Sequence, residues 1–184
     1  MIEMTDTPDI DPALLLPILI APHPVLKAKA RPVANADADL MRDLIPRMFA
    51  TMYKAPGIGL AAPQIGQSVR MFVMDVKDGE TKHPMVMVNP EIIASSPDLN
   101  VYEEGCLSLP QQFAEVTRPR IVRVRFENAQ GMKEEIEADG LLATCIQHEL
   151  DHLNGVLFVD RISSLKRNMI MRKLAKEQKA KALG

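Results

Sequence analysis

The pentapeptide His148-Glu149-Leu150-Asp151-His152 constrains this chain more than any other stretch. Only four histidines occur in 184 residues, and two of them stand four apart with a glutamate between. In a helix, residues at i and i+4 stack on one face, about 6 Å apart along the axis. That separation lets two imidazole nitrogens grip one metal ion, with Glu149 near the same face as a candidate general base. The pattern predicts a helix from Leu141 to Asn154, ended by Gly155, and points to metal-assisted hydrolysis.

The remaining elements must surround that helix. Asp37 to Tyr53 reads as a first helix, with Asp37 or Asp39 as its cap and Leu40, Leu44, Ile45, Met48, Phe49 and Met52 at helical spacing. Pro17 to Pro32 is punctuated by proline and predicts an extended run. Strands are predicted at Val69 to Val76, Met85 to Asn89, Glu91 to Ser95, Phe113 to Val116 and Ile121 to Phe126. Another is predicted at Met132 to Glu137, closing a hairpin through Asn128-Ala129-Gln130-Gly131. A last helix begins near Ser163 or Ser164. This order gives an α+β fold, with mostly antiparallel sheets packed around a central metal-binding helix and a C-terminal helix.

With 47% hydrophobic and 25% charged residues, the chain reads as a globular protein with one domain over 17–184. The first sixteen residues carry four acids and no lysine or arginine. They predict a loose N-terminal extension, 1–16, without the positive start of a secretory signal. Two cysteines are too few for a disulfide scaffold, so a reducing cytoplasm is the expected location. No run is long and apolar enough for a membrane. The net charge of −2 hides an asymmetry: seven basic residues face one acid between Lys166 and Lys181, which leaves about −8 on the rest. The helix 163–181 is either a solvated basic face or a surface for a polyanion.

Two imidazoles need a third protein ligand, with a fourth position left for water. Cys145 lies on the same helix but about 10 Å along the axis from His152, too far for its short side chain. It reads as a buried apolar residue. Cys106, in the irregular stretch Glu103-Glu104-Gly105-Cys106-Leu107-Ser108-Leu109-Pro110, can approach from outside the helix; a turn with a buried cysteine is the plainer alternative. Pro56 to Gly66 is rich in small residues that let backbone pass close to a ligand. Gln64 could there supply an amide to a developing oxyanion, and a tight structural turn fits the same spacing.

Together, Gly57-Ile58-Gly59-Leu60-Ala61-Ala62-Pro63-Gln64, Glu104-Gly105-Cys106-Leu107-Ser108 and Gln147-His148-Glu149-Leu150-Asp151-His152 resemble the three signature motifs of peptide deformylase, over roughly residues 17 to 175. The resemblance implies removal of the N-formyl group from the formylmethionine of nascent polypeptides, with release of formate. It implies Cys106, His148 and His152 as metal ligands and Glu149 as general acid/base. Gln64 and the Leu107 backbone N–H would stabilise the oxyanion. Gly59 would hydrogen-bond the substrate backbone, and Ile58, Leu141 and Cys145 would wall the methionine pocket. The implied ion is Fe²⁺, for which Zn²⁺, Ni²⁺ or Co²⁺ can substitute. The implied partner is the N-formylmethionyl nascent peptide, and the basic helix becomes a candidate ribosome contact. No membrane or DNA partner is expected. Gln111 and Phe113 depart from the acidic residue and the arginine or tyrosine common in the family, on the peptide side of the site.

Two rivals are weaker. A zinc peptidase needs a third ligand downstream of His152, where only Asp160 and Glu177 are acidic and no histidine follows. A binding protein that retained the fold would have no use for a general base beside two histidines.

Overall fold

In the computed structural model, which describes residues 9–184, four helices and seven strands form: α1 Pro24–Lys27, α2 Ala38–Lys54, β1 Gly59–Ala61, β2 Met71–Asp75, β3 Pro84–Ser95, β4 Leu99–Cys106, β5 Leu109–Pro119, β6 Ile121–Glu127, β7 Lys133–Asp139, α3 Gly140–Leu153 and α4 Ser164–Leu183. Five strands make one sheet in the order β1-β2-β3-β6-β7, while β4 and β5 form a separate ribbon. Every pairing between these strands is antiparallel. The expected α+β architecture is the one observed.

Alternation along β2 shows how the sheet is clothed. Phe72 and Met74 pack with Ala143, Cys145, Ile146 and Leu153 of α3. Met71 and Val73 point the other way, to Leu44, Met48 and Met52 of α2. A strand covered on both faces reads as a continuous apolar run rather than an alternating one, as Met71–Asp75 does. A third cluster joins Leu109 and Val116 of the ribbon to Phe158, Val159, Leu26 and Leu174 of α4. The helix α3 therefore lies between the large sheet and the ribbon, and its polar residues have walls on both sides.

Four local expectations need correction. The two strands predicted around Pro90 are one strand, β3. Its register slips between Val88 and Glu91, and Asn89 takes a left-handed φ of 49°, so Pro90 sits at a bulge where its missing N–H breaks no ladder bond. The stretch expected to be irregular around Glu103–Cys106 is the end of β4, and β5 runs from Leu109 rather than Phe113. Asp37 stands at the N-cap of α2 but makes no capping bond; its carboxylate instead holds Arg31 at 2.9 Å and the Ala34 N–H at 2.8 Å. The run 17–32 is interrupted by α1, whose Pro24 occupies the first turn and whose His23 Nδ1 accepts from the Val25 N–H. Of the expected extension, residues 1–8 lie outside the described residues. Leu16 and Ile18 already pack against the α2 cluster.

Gly155 ends the metal-motif helix with a φ of 73°, and a Cβ there would run into the Lys27 carbonyl. The helix end is thereby packed tightly against α1.

Candidate active site

Two adjacent turns of α3 carry His148 and His152, whose ring centroids lie 5.1 Å apart and edge-on. Cys106 comes from the last position of β4. Leu107 and Ser108 then turn the chain into β5, so the thiol projects from a hairpin corner onto the helix face. Its Sγ is 3.3 Å from His152 Nε2. Ligand atoms from Cys106, His148 and His152 all lie within 4.8 Å of one another, the one such grouping among the described residues. Cys145 is not in it. Its buried Sγ turns to the Ile58 carbonyl at 3.8 Å, and burial pushes its thiol pKa well up, so it stays neutral.

The donor set is one thiolate and two imidazoles, which suits a borderline-soft divalent ion. Glu149 Oε2 and His152 Nδ1 are buried with no protein partner, so unspent polar capacity is gathered around this grouping. Burial pushes the Glu149 carboxyl up to about 7, a range in which it can take and return a proton near neutral pH. Burial likewise lowers the His152 pKa well below its ordinary value, which keeps a nitrogen lone pair free for a metal.

Sequence reasoning missed the layer behind these residues. His148 Nδ1 pairs with Glu104 Oε1 at 2.9 Å, which fixes the ring orientation. Arg118 of β5, 4% exposed, grips both Glu104 oxygens at 2.7 and 3.0 Å. Its remaining nitrogen donates to Asp151 Oδ2 at 2.9 Å. These contacts hold Glu104 below the usual carboxylate range, against the opposing effect of its burial. The signal was available: Arg118 follows Ala114 and Val116 on an alternating buried face, and a buried arginine requires carboxylates.

Gln64 is also better placed than its spacing revealed. Its Oε1 accepts from the Ala61 N–H at 3.0 Å, and its Nε2 lies 3.4 Å from Cys106 Sγ and 3.1 Å from Ser108 Oγ. The amide is thus locked with its N–H₂ end toward the thiol. Ser108, fully buried, was not singled out from the sequence.

A cavity of about 630 Å³ opens over this cluster. Ile58, Gly59, Gln64, Cys106, Leu107, Leu141, Cys145, His148 and Glu149 all line it, as do Gln111 and Phe113, while His152 sits behind. Strand β1 forms one wall and is an edge of the large sheet. The Ile58 carbonyl accepts from the Asp75 N–H at 2.8 Å and Gly59 stands opposite Met74, a register that turns the Gly59 N–H and C=O away from β2. A Cβ on Gly59 would come within 2.5 Å of Glu149 Oε1, so only glycine lets this edge approach the carboxylate. Asp160 and Glu177 lie elsewhere: Asp160 pairs with Lys27 and Arg167, and Glu177 with Gln112.

The family model described as polypeptide deformylase matches residues 15–168. A peptide deformylase of Mesorhizobium japonicum is 54% identical over 169 residues, 91% of this chain and 96% of the relative. One of Rhizobium meliloti is 52% identical over 166 residues, covering 90% and 95%. Among solved structures, a peptide deformylase from Legionella pneumophila superposes with a TM-score of 0.84 at 46% identity, covering 91% of this chain and 98% of that one. A peptide deformylase from Synechococcus elongatus in complex with actinonin gives 0.80 at 43% identity, covering 87% and 86%.

Proposed function

The chain belongs to the polypeptide deformylase family, metal-dependent hydrolases that remove the N-formyl group from nascent peptides, and from that premise we propose which of its residues perform each part of the reaction. The observation that carries this reading is the convergence of Cys106, His148 and His152 within 4.8 Å, beside Glu149, on one cavity. These three would hold the ion, and Fe²⁺ is the assignment, with Zn²⁺, Ni²⁺ or Co²⁺ able to substitute. A metal held there supplies a Lewis acid that makes water a nucleophile at neutral pH.

Each protein group then has one task. Glu149, desolvated and poised near neutrality, accepts the proton released by the attacking water and returns it to the departing α-amine. Gln64 Nε2, locked by Ala61 and Ser108, and the Leu107 N–H donate to the oxygen of the formyl carbonyl as it gains charge. Gly59 pairs with the peptide backbone along the free edge of β1, which sets the formyl carbon over the cluster. Ile58, Leu141 and Cys145 receive the methionine side chain. The products are formate and a free N-terminal methionine.

We assign 17–184 to a single catalytic domain, with 1–16 as an N-terminal extension and the basic helix as part of the domain. That helix exposes Lys166, Arg172, Lys173, Lys176, Lys179 and Lys181, a charge array suited to ribosomal RNA near the site of synthesis. The cytoplasm is the matching location. No helix of the described residues is long and apolar enough to cross a membrane.

The test is formate release from formyl-Met-Ala-Ser by anaerobically prepared protein, reconstituted in parallel with Fe²⁺, Ni²⁺ and Zn²⁺. Metal-dependent release from the formylated peptide, abolished in His148→Ala together with metal binding, is the expected result. Stoichiometric metal without release under any ion would overturn the assignment of roles.

A further inference from the structure

The buried chain His148–Glu104–Arg118–Asp151 contains two carboxylates and a single guanidinium. Arg118 gives two of its three hydrogen bonds to Glu104 and one to Asp151. Asp151 is nevertheless buried, with only 8% of its side chain exposed. It is completed from the surface by Arg161, in the turn before α4, whose Nε donates to Oδ2 at 3.0 Å and whose Nη2 donates to Oδ1 at 2.6 Å. The Arg161 side chain is 48% exposed, so the fork reaches in from solvent. With Arg161 present, two carboxylates meet two guanidiniums. Without it, Asp151 and Glu104 would compete for Arg118, and a carboxylate left short in a low-dielectric site draws the shared cation toward itself. Glu104 would then lose its fixed geometry, and with it the acceptor that orients the His148 ring.

We infer that Arg161 is a positioning residue for the metal centre: it frees Arg118 to hold Glu104, and so holds the His148 imidazole in ligating orientation from the protein surface. The inference rests on the reading of His148 as a metal ligand.

The natural control stands a few residues away. Arg167 is also a half-exposed surface arginine, but it pairs with Asp160, which touches Lys27 and no member of the buried chain. Arg161→Met and Arg167→Met remove equal charge from neighbouring surface, and only the first has a path to His148. Arg161→Lys keeps the charge and loses the fork.

The experiment loads each variant with Co²⁺ and follows transfer of the ion to a colorimetric chelator, alongside the visible Co²⁺ spectrum and the kinetics on formyl-Met-Ala-Ser. Loss of groups that orient a metal-binding histidine commonly weakens metal affinity 10–100-fold. Acting through three intervening residues, Arg161→Met is expected at the low end, about tenfold faster release, with altered Co²⁺ bands and a fall in kcat at nearly constant KM. Arg161→Lys should recover part of this, and Arg167→Met should match the parent. Parental release, spectrum and kcat in Arg161→Met would overturn the inference. So would equal effects from Arg167→Met. If His148→Ala itself kept cobalt with an unchanged spectrum, the ligand assignment would fail first.

Discussion

The helices α3 and α4 are both charged, and they use charge in opposite ways. In α3, Gln147, Glu149, Asp151 and His152 are buried; Asp151 is gripped by two arginines and Gln147 reaches the Pro119 carbonyl, while Glu149 Oε2 and His152 Nδ1 are left unpartnered. In α4, one residue of twenty, Leu174, is buried, and the lysines and arginines stand in water. Buried charge must be matched atom for atom, so α3 is a site where substitution propagates. Solvated charge costs little to add or remove, so α4 can vary its charges while α3 cannot.

Four experiments can break or sharpen that contrast. The largest effect is expected from Glu149→Gln, which removes the proposed proton carrier while keeping shape: kcat should fall about 10²–10⁴-fold with stoichiometric metal retained. Turnover near the parental rate would remove Glu149 from the mechanism. Next, Arg118→Met leaves the buried Glu104 without its guanidinium and Asp151 with Arg161 alone, and should destabilise the fold by about 3–5 kcal/mol in chemical denaturation. A third experiment probes the exception within α4. Leu174→Ala should cost about 2–3 kcal/mol, the low end for a buried leucine, because Leu174 alone is buried on that helix; no loss would mean that α4 is not part of the cooperative unit. The smallest effect belongs to replacing Arg172, Lys176 and Lys179 by Gln. Stability and turnover of a short formylated peptide should be unchanged within about 0.5 kcal/mol, while any salt-sensitive ribosome binding weakens. Ribosome binding indifferent to both salt and these charges would sink the proposed contact.

The acid side offers a check on how α4 is tied down. Its own burial works against it, but the hydrogen bonds from Lys27, the Leu157 N–H and Arg167 hold the Asp160 pKa below its ordinary value. Stability from this group is therefore complete above the unfolded carboxylate pKa of about 3.9 and is lost as pH falls through the lower folded value. Asp160→Asn should flatten that part of the acid unfolding curve.

The same contrast governs what the sequence disclosed. Helix α3, its two histidines and the glutamate were legible because their relation is local, a matter of i, i+4 spacing. The proposed third ligand was half legible: Cys106 was a candidate, but Glu103-Glu104-Gly105 reads as irregular, since Glu104 turns inward from β4 to meet Arg118 and His148. The chain of partners was not legible at all. Glu104 and Arg118 are 14 residues apart, and Arg118 and Asp151 are 33 apart, joined only when the ribbon folds over the helix. Pro90 misled for a related reason, because the bulge that accommodates it is defined by register with β6 rather than by its neighbours.

One consequence of the free edge at Gly59 concerns the breadth of clientele. A groove that recognised side chains downstream of the first residue would sort new proteins into those processed and those left blocked. An exposed main-chain N–H and C=O ask only that the incoming segment be extended, a condition that almost any emerging polypeptide meets. With the roles proposed for Gly59 and the pocket residues, an unadorned strand rim beside the cleft and side-chain discrimination reserved for the pocket beneath would make the protein selective about the first residue and indifferent to the message that follows.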